Sequence, residues 1–119
     1  DNLDTNWLFT GGTSEESQIM CLRKIGDIVT ITQLSFTIGC LALSNYLESQ
    51  IAMPASYRPN ANIDYIPVLL QNTTTPSYVS CRMSIQADGK IRIYPNTGQF
   101  TVDTYSVGFS VSYGLDLTL

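Results

Sequence analysis

An alternating run over the last fifteen residues constrains the fold more than any other feature of the chain. Apolar side chains occupy every second position: Tyr105, Val107, Phe109, Val111, Tyr113, Leu115, Leu117 and Leu119. Small or polar residues lie between them, so the run predicts a strand with one buried and one wet face. At about 3.3 Å per residue it would extend for roughly 50 Å, more than a small sandwich needs. We therefore predict that it breaks at Gly114 and that residues 115–119 pair separately or reach a neighbouring subunit.

The rest of the chain agrees with an all-β fold. It holds 11 Ile, 6 Val and 13 Thr against 5 Ala, 3 Glu and 2 Lys, so β-branched residues far outnumber good helix formers. We predict about eight short strands in an antiparallel β-sandwich of the jelly-roll-like type. Residues 18–119 are expected to form a single domain. Residues 1–17 are expected to be an N-terminal arm or lead-in strand from an upstream stalk that is missing here.

Turn residues divide the chain into strands. Gly26-Asp27 and Asp88-Gly89 lie between apolar runs and predict hairpins, because glycine accepts a positive φ without steric cost. The apolar parity switches near Thr32-Gln33, which predicts a β-bulge or a strand that passes between packing surfaces. Two prolines force a loop at residues 54–60, and Pro67 places its strand at an edge or a bulge.

Charge and residue types exclude several classes of function. Ten acidic and six basic residues give a net charge of -4, which cannot supply a phosphate-binding patch for nucleic acid. No window approaches the ~18 apolar residues of a membrane span, so membrane insertion is not expected. Cys21, Cys40 and Cys81 are predicted to be small buried hydrophobes, with a disulfide as the less favoured alternative. No metal or cofactor is expected.

Catalysis is also disfavoured, and we predict that the protein is not an enzyme. The chain has no histidine, so a nucleophilic Ser or Cys would need Lys24 or Lys90 as its base. Both lysines flank hairpin turns, where a solvated charge is the ordinary interpretation. A pair of carboxylates for glycoside hydrolysis could arise by chance among the acidic residues, so it carries little weight.

The remaining candidates for function are aromatic rings and planar hydrogen-bonding groups on an otherwise weakly charged surface. Such groups hold sugar rings or make adaptable protein contacts. Tyr105 and Tyr113 are expected to be half-buried sheet residues by parity. The candidate receptor- or glycan-binding residues lie in or beside predicted loops: Tyr46, Tyr57, Arg58, Asn60, Tyr94 and Asn96.

Four segments in order carry a resemblance to a known family: residues 4–7 (DTNW), 22–31 (LRKIGDIVTI), 51–59 (IAMPASYRP) and 86–93 (QADGKIRI). Together they resemble the C-terminal head domains of bacteriophage tail-fibre and baseplate receptor-binding proteins. The resemblance spans nearly the whole chain. The sequence departs from the family pattern at Asn6, Leu22 and Met53, which are turn or packing positions.

The resemblance implies a homotrimeric head at the tip of a fibre or baseplate, part of a virion assembled in the host cytoplasm. Such a head attaches the virion to a glycan or protein on the bacterial surface. The shared residues at 23–24, 57–59 and 88–89 would hold the fold and the three-fold contact, while receptor contacts would lie on variable loops. Two alternatives stay open: a structural trimerisation or plug domain without receptor binding, and a surface depolymerase.

Overall fold

The part of the chain that the structure describes folds into eight β-strands and one short 3-10 helix. The computed structural model describes residues 2–10, 17–40, 43–49 and 52–115, with side chains described from residue 21 onward except at 33–36. The strands are β1 Asn2–Thr10, β2 Ser17–Ile25, β3 Ile28–Gly39, β4 Leu47–Ser49, β5 Ile63–Asn72, β6 Ser77–Ile85, β7 Ile91–Pro95 and β8 Thr104–Gly114. The 3-10 helix is Ala55–Tyr57. No helix within these ranges is long and apolar enough to cross a membrane.

The strands hydrogen-bond in the order β1-β2-β3-β8-β5-β6-β7-β4, and the ring closes between β4 and β1. Two three-stranded meanders, β1-β2-β3 and β5-β6-β7, are thus joined by β8 on one side and by β4 on the other. Every pairing between the named strands is antiparallel. The predicted all-β, antiparallel fold is confirmed. The sheet, for which the sequence predicts a jelly-roll-like sandwich, curls into a closed barrel. The segment expected as an arm or lead-in strand supplies β1, and a stalk before it stays a prediction.

Both predicted hairpin turns are present. Gly26 has φ +59° between β2 and β3, and Gly89 has φ +91° between β6 and β7. The register of β3 against β8 shifts between Gln33 and Phe36, next to the predicted bulge. β8 ends at Gly114 as expected, and the predicted role of residues 116–119 lies outside the described part of the chain.

Strand β5 also behaves as its proline predicts. Pro67 pairs with Arg82 of β6, whereas β5 pairs with β8 at Gln71 and Asn72. At Pro67, whose backbone nitrogen has no hydrogen to donate, β5 therefore has a partner strand on the β6 side alone. The β5–β6 register shifts between Ile63 and Ile66.

The inward-facing residues fill the barrel with a single apolar core. Its fully buried members include Leu22, Val29, Ile31, Ile38, Leu47, Met53, Leu70, Met83, Ile85, Ile91 and Ile93. Cys40 and Cys81 are buried in this core, Cys21 is partly buried, and all three thiols are free. Burial raises the pKa of the Cys81 thiol to about 12, so this sulfur behaves as a small hydrophobe. The prediction of free thiols is confirmed for all three cysteines. The prediction that they are buried is confirmed for Cys40 and Cys81.

Candidate functional site

A row of aromatic and arginine side chains crosses the outer face of four neighbouring strands. We call it the Tyr–Arg shelf; its members are Tyr46, Tyr65, Arg82, Arg92 and Tyr94. Tyr46 directly precedes β4, Tyr94 and Arg92 lie on β7, Arg82 on β6 and Tyr65 on β5. Because β5, β6, β7 and β4 are consecutive in the barrel, outward-facing side chains on neighbouring strands can contact one another.

The register of the strands brings these side chains together. Arg82 lies directly opposite Tyr94 in the β6–β7 pair. Leu47 of β4 lies opposite Ile93 of β7. Because the two strands are antiparallel, Tyr46, which precedes Leu47, lies beside Tyr94, which follows Ile93. Leu47 and Ile93 point into the core, and their neighbours therefore point outward, as the two-residue period of a strand requires.

The shelf is a continuous series of ring and cation contacts. The rings of Tyr46 and Tyr94 lie 5.4 Å apart between centroids, tilted by 43°. The guanidinium carbon of Arg92 lies 4.8 Å from the Tyr46 ring centroid. That of Arg82 lies 4.1 Å from the Tyr94 centroid and 5.3 Å from the Tyr65 centroid. Each cation–π contact at an exposed site stabilises by about 0.5–1 kcal/mol, so the row is held in place before any ligand arrives.

An ion pair fixes one end of the shelf. Arg92 Nε donates to Glu48 Oε2 at 2.5 Å, and Arg92 Nη1 donates to the Tyr94 hydroxyl at 3.1 Å. Lys90 Nζ lies 3.8 Å from Glu48 Oε1. The hydrogen bond to Tyr94, and after it the one to Glu48, raises the pKa of Arg92 above its ordinary value. Arg92 is therefore a permanent cation that anchors the two tyrosines rather than a group that titrates.

A groove continues the shelf toward the next residues of β5 and β6. It has a volume of about 420 Å³ and is lined by Pro67, Val68, Leu69, Ser80, Cys81 and Asn96. Asn96 is exposed and follows Tyr94 by two residues, and its backbone N–H donates to Ser80 O at 3.0 Å. The predicted candidates Tyr46, Tyr94 and Asn96 thus lie on one continuous surface.

The other three candidates, Tyr57, Arg58 and Asn60, lie in a loop that closes the barrel end near the Gly26 and Gly89 turns. Tyr57 is only 7% exposed, and its carbonyl accepts a 2.6 Å hydrogen bond from the hydroxyl of Tyr113. Arg58 Nε donates to Met53 O at 2.7 Å, and Asn60 Nδ2 donates to Leu115 O at 2.6 Å. These contacts support the implied role of residues 57 and 58 in holding the fold. They leave little of the Tyr57 ring for a ligand.

Three members of the shelf are not among the sequence candidates: Tyr65, Arg82 and Arg92. The alternation along β6 and β7 does place Arg82 and Arg92 on the outer face, so that pattern is a usable signal. Nothing in the sequence indicates Tyr65, because it is brought over Arg82 by the register shift in β5.

The groups of the shelf are suited to non-covalent contacts. It offers flat aromatic faces, which pack on the apolar face of a sugar ring, and guanidinium groups, which donate to hydroxyl or anionic oxygens. No group of three or more metal-ligating side chains (His, Cys, Asp or Glu) occurs among the described residues.

Structural comparison finds the same fold in viral attachment domains. The head domain of lactococcal phage bIL170, a receptor-binding domain, matches with a TM-score of 0.62 at 16% identity, over 97% of this chain and 99% of that one. The reovirus attachment protein sigma1, solved in complex with alpha-2,3-sialyllactose, matches with a TM-score of 0.54 at 11% identity. That match covers 98% of this chain and 65% of the sigma1 chain. No protein-family model and no curated protein sequence matches the chain. At the level of fold, the predicted resemblance to phage receptor-binding heads is confirmed.

Proposed function

We propose that this chain is the receptor-binding head of a bacteriophage tail fibre or baseplate. It attaches the virion to a bacterial surface glycan through the Tyr–Arg shelf and the adjoining groove. The observation that carries the proposal is the pre-formed row of tyrosines and arginines on a fold that viral attachment domains have. In this proposal the head is a homotrimer on the virion, and the virion is assembled in the host cytoplasm.

The chemistry of the shelf favours a saccharide over a protein receptor. Tyr46 is about one-third exposed and Tyr65 is 77% exposed, so both present ring faces to solvent. Arginine beside these rings supplies hydrogen-bond donors in a fixed plane. A shallow row of this kind, followed by an open groove, fits a chain of sugar rings better than it fits the deeply buried anchor residue of a protein partner.

Both structural neighbours support a role in attachment. Only one of them supports a glycan as the receptor. Sigma1 is an attachment protein solved with a sialylated sugar, and the bIL170 domain is a receptor-binding domain. We propose non-covalent binding without cleavage of the glycan. Because three heads on one tip engage a repetitive surface together, weak single sites would suffice for firm attachment.

A binding assay on whole bacteria tests this function. The purified domain, labelled with a fluorophore, is incubated with a panel of bacterial strains and with the polysaccharides extracted from their surfaces. We expect saturable binding to a subset of strains, competed by the soluble polysaccharide of those strains, whose chain length stays unchanged after long incubation.

The same assay separates the alternatives. A structural plug domain would bind no strain although it forms trimers, and that outcome would remove the adhesion proposal. A depolymerase would shorten the polysaccharide. Binding abolished by protease treatment of the cells, rather than by soluble polysaccharide, would indicate a protein receptor instead.

A further inference from the structure

Arg82 differs from its neighbour Arg92 in having no acidic partner among the described residues. Its guanidinium lies beside two aromatic rings, those of Tyr94 and Tyr65. Arg92, by contrast, is neutralised by Glu48. An arginine carries five N–H donors in one plane, and ring contacts with its faces leave the donors at its edge available. The shelf thus holds a cation whose in-plane hydrogen bonds are not supplied by the described protein groups.

The second wall of this position, Tyr65, is held in an uncommon backbone conformation. Its φ of +66° makes it the only non-glycine residue with positive φ in the described part of the chain. It lies where the β5–β6 register shifts between Ile63 and Ile66. A bulge of this kind redirects a side chain, and a strained non-glycine residue costs on the order of 1–3 kcal/mol. In this conformation the Tyr65 ring is largely exposed and lies beside Arg82.

Not every cation of the shelf is neutralised by a described carboxylate. The chain carries a net charge of -4. Across the shelf and its ion pairs, three cations, Lys90, Arg82 and Arg92, stand against one carboxylate, Glu48. Two further carboxylates lie close in sequence. Asp64 accepts a 2.5 Å hydrogen bond from Ser84 Oγ, and Asp88 accepts one from the backbone N–H of Lys90 at 3.0 Å. Neither forms an ion pair with Arg82, so an anionic ligand is favoured at this one guanidinium.

We propose that Arg82, walled by Tyr65 and Tyr94, binds the anionic substituent of a surface saccharide, a carboxylate or a phosphate. The proposal rests on the adhesive function above and names the ligand class for it. A carboxylate and a phosphate can each accept two parallel N–H hydrogen bonds from one guanidinium. The geometry therefore favours a ligand that carries a negative charge on two neighbouring oxygens.

Titration with matched sugar probes tests this directly and distinguishes the two anions. Methyl glucuronide, glucose 6-phosphate and neutral methyl glucoside are added to the isotope-labelled domain, and the Nε–H resonance of Arg82 is followed by NMR. We expect one or both anionic probes to shift this resonance with an affinity that falls as salt rises, and methyl glucoside to leave it in place. The probe that binds more tightly shows whether the natural ligand carries a carboxylate or a phosphate.

Three variants assign the effect to the side chain. Arg82→Gln should weaken the anionic probe by about tenfold or more. Arg82→Lys should recover part of the loss, because it keeps the charge without the planar pair of donors. Arg23→Gln removes the same charge from an exposed residue of β2. Once its amide spectrum shows that the domain is folded, this variant should change the affinity less than about twofold.

The proposal is overturned if methyl glucoside binds as tightly as the anionic probes. It also falls if neither anion shifts the Arg82 resonance, or if Arg23→Gln weakens binding as much as Arg82→Gln. Cell binding separates it from the proposed function. If Arg82→Gln binds cells as well as the wild type, the anion site is wrong and adhesion stands. If the wild type binds no strain, adhesion is wrong, while the titration still decides the role of Arg82.

Discussion

Tyr94 is the central residue of the shelf, since it contacts the Tyr46 ring, the Arg82 guanidinium and an Arg92 donor. Its side chain lies on the outer face of β7, away from the core. Loss of this ring should therefore alter the shelf more than it alters the stability of the fold.

We predict that Tyr94→Ala lowers the affinity for the bound polysaccharide by about tenfold, roughly 1–2 kcal/mol, because it removes a stacking face and loosens Arg82. Calorimetric titration of purified polysaccharide measures this. Tyr78→Ala is the control, since Tyr78 is a 66% exposed tyrosine on β6 outside the shelf. Equal losses in the two variants would contradict a specific role for Tyr94.

Gly89 is the residue on which the packing of the β6–β7 turn depends. Its φ is +91°, and a Cβ there would lie 2.7 Å from Arg58 Nε and 2.9 Å from Met53 N. Any side chain at this position would push the loop at residues 54–60 away from the barrel.

We predict that Gly89→Ala lowers the free energy of unfolding by about 1–3 kcal/mol or more, through strain and the clash together. Gly98→Ala is the matched control, because Gly98 has φ +70° but nothing within 4 Å of the new Cβ. Urea unfolding of both variants isolates the clash. A loss no larger at Gly89 than at Gly98 would show that the loop simply moves aside.

At the scale of elements, Asp103 joins the end of β5 to the segment that leads into β8. Its Oδ2 accepts hydrogen bonds from Thr101 Oγ1 at 2.5 Å and from Asn72 Nδ2 at 3.0 Å. The bond from Thr101, and then that from Asn72, lowers the pKa of Asp103 below its ordinary value of 3.8. The ionised carboxylate is therefore the form that stabilises the junction.

A lowered folded pKa means that this stabilisation is present above pH 3.8 and is lost as the pH falls through the folded value. We predict that the wild type exceeds Asp103→Asn in unfolding free energy at neutral pH, and that the difference shrinks in acid. Urea unfolding of both proteins over a pH series checks this. A difference that does not change with pH would contradict it.

The elements differ in how far the sequence predicts them. The hairpins at Gly26 and Gly89 depend on local turn chemistry and are predicted correctly. Gly114 is likewise predicted correctly as the end of β8. The contact of Tyr46 with Tyr94 depends instead on the pairing of β4 with β7, which no local pattern encodes. The position of the Tyr65 ring beside Arg82 could not be predicted from the sequence. It depends on a positive φ at Tyr65, which is uncommon for a residue with a bulky side chain.

The same limit explains the candidates that lie away from the shelf. Tyr57, Arg58 and Asn60 lie in a proline-rich loop, and the sequence correctly predicts that loop. The sequence does not reveal that the loop folds back onto the barrel end, where Tyr113 and Leu115 hold it. Tyr46, Tyr94 and Asn96 come from the ends of short strands, and there the prediction of a surface position agrees with the structure.

At the scale of the whole molecule, we propose that three copies associate. Large apolar side chains are exposed on the subunit away from the groove, among them Ile25, Ile28, Leu43 and Val102. Exposed apolar surface of this kind favours self-association. We predict a mass of about 39 kDa by light scattering, three times the 13.1 kDa of one chain. A mass of one chain at all concentrations would contradict the trimer and remove the avidity argument.

The most direct test of the central claim, that the Tyr–Arg shelf is the receptor site, is an amide chemical-shift map. The isotope-labelled protein is titrated with the polysaccharide of a strain that it binds, and the perturbed residues are located on the structure. We predict that the largest changes cluster at Tyr46, Tyr65, Arg82, Arg92 and Tyr94 and extend to Asn96. Changes that cluster instead at Tyr57, Arg58 and Asn60 would contradict the claim and move the receptor site to the loop at the barrel end.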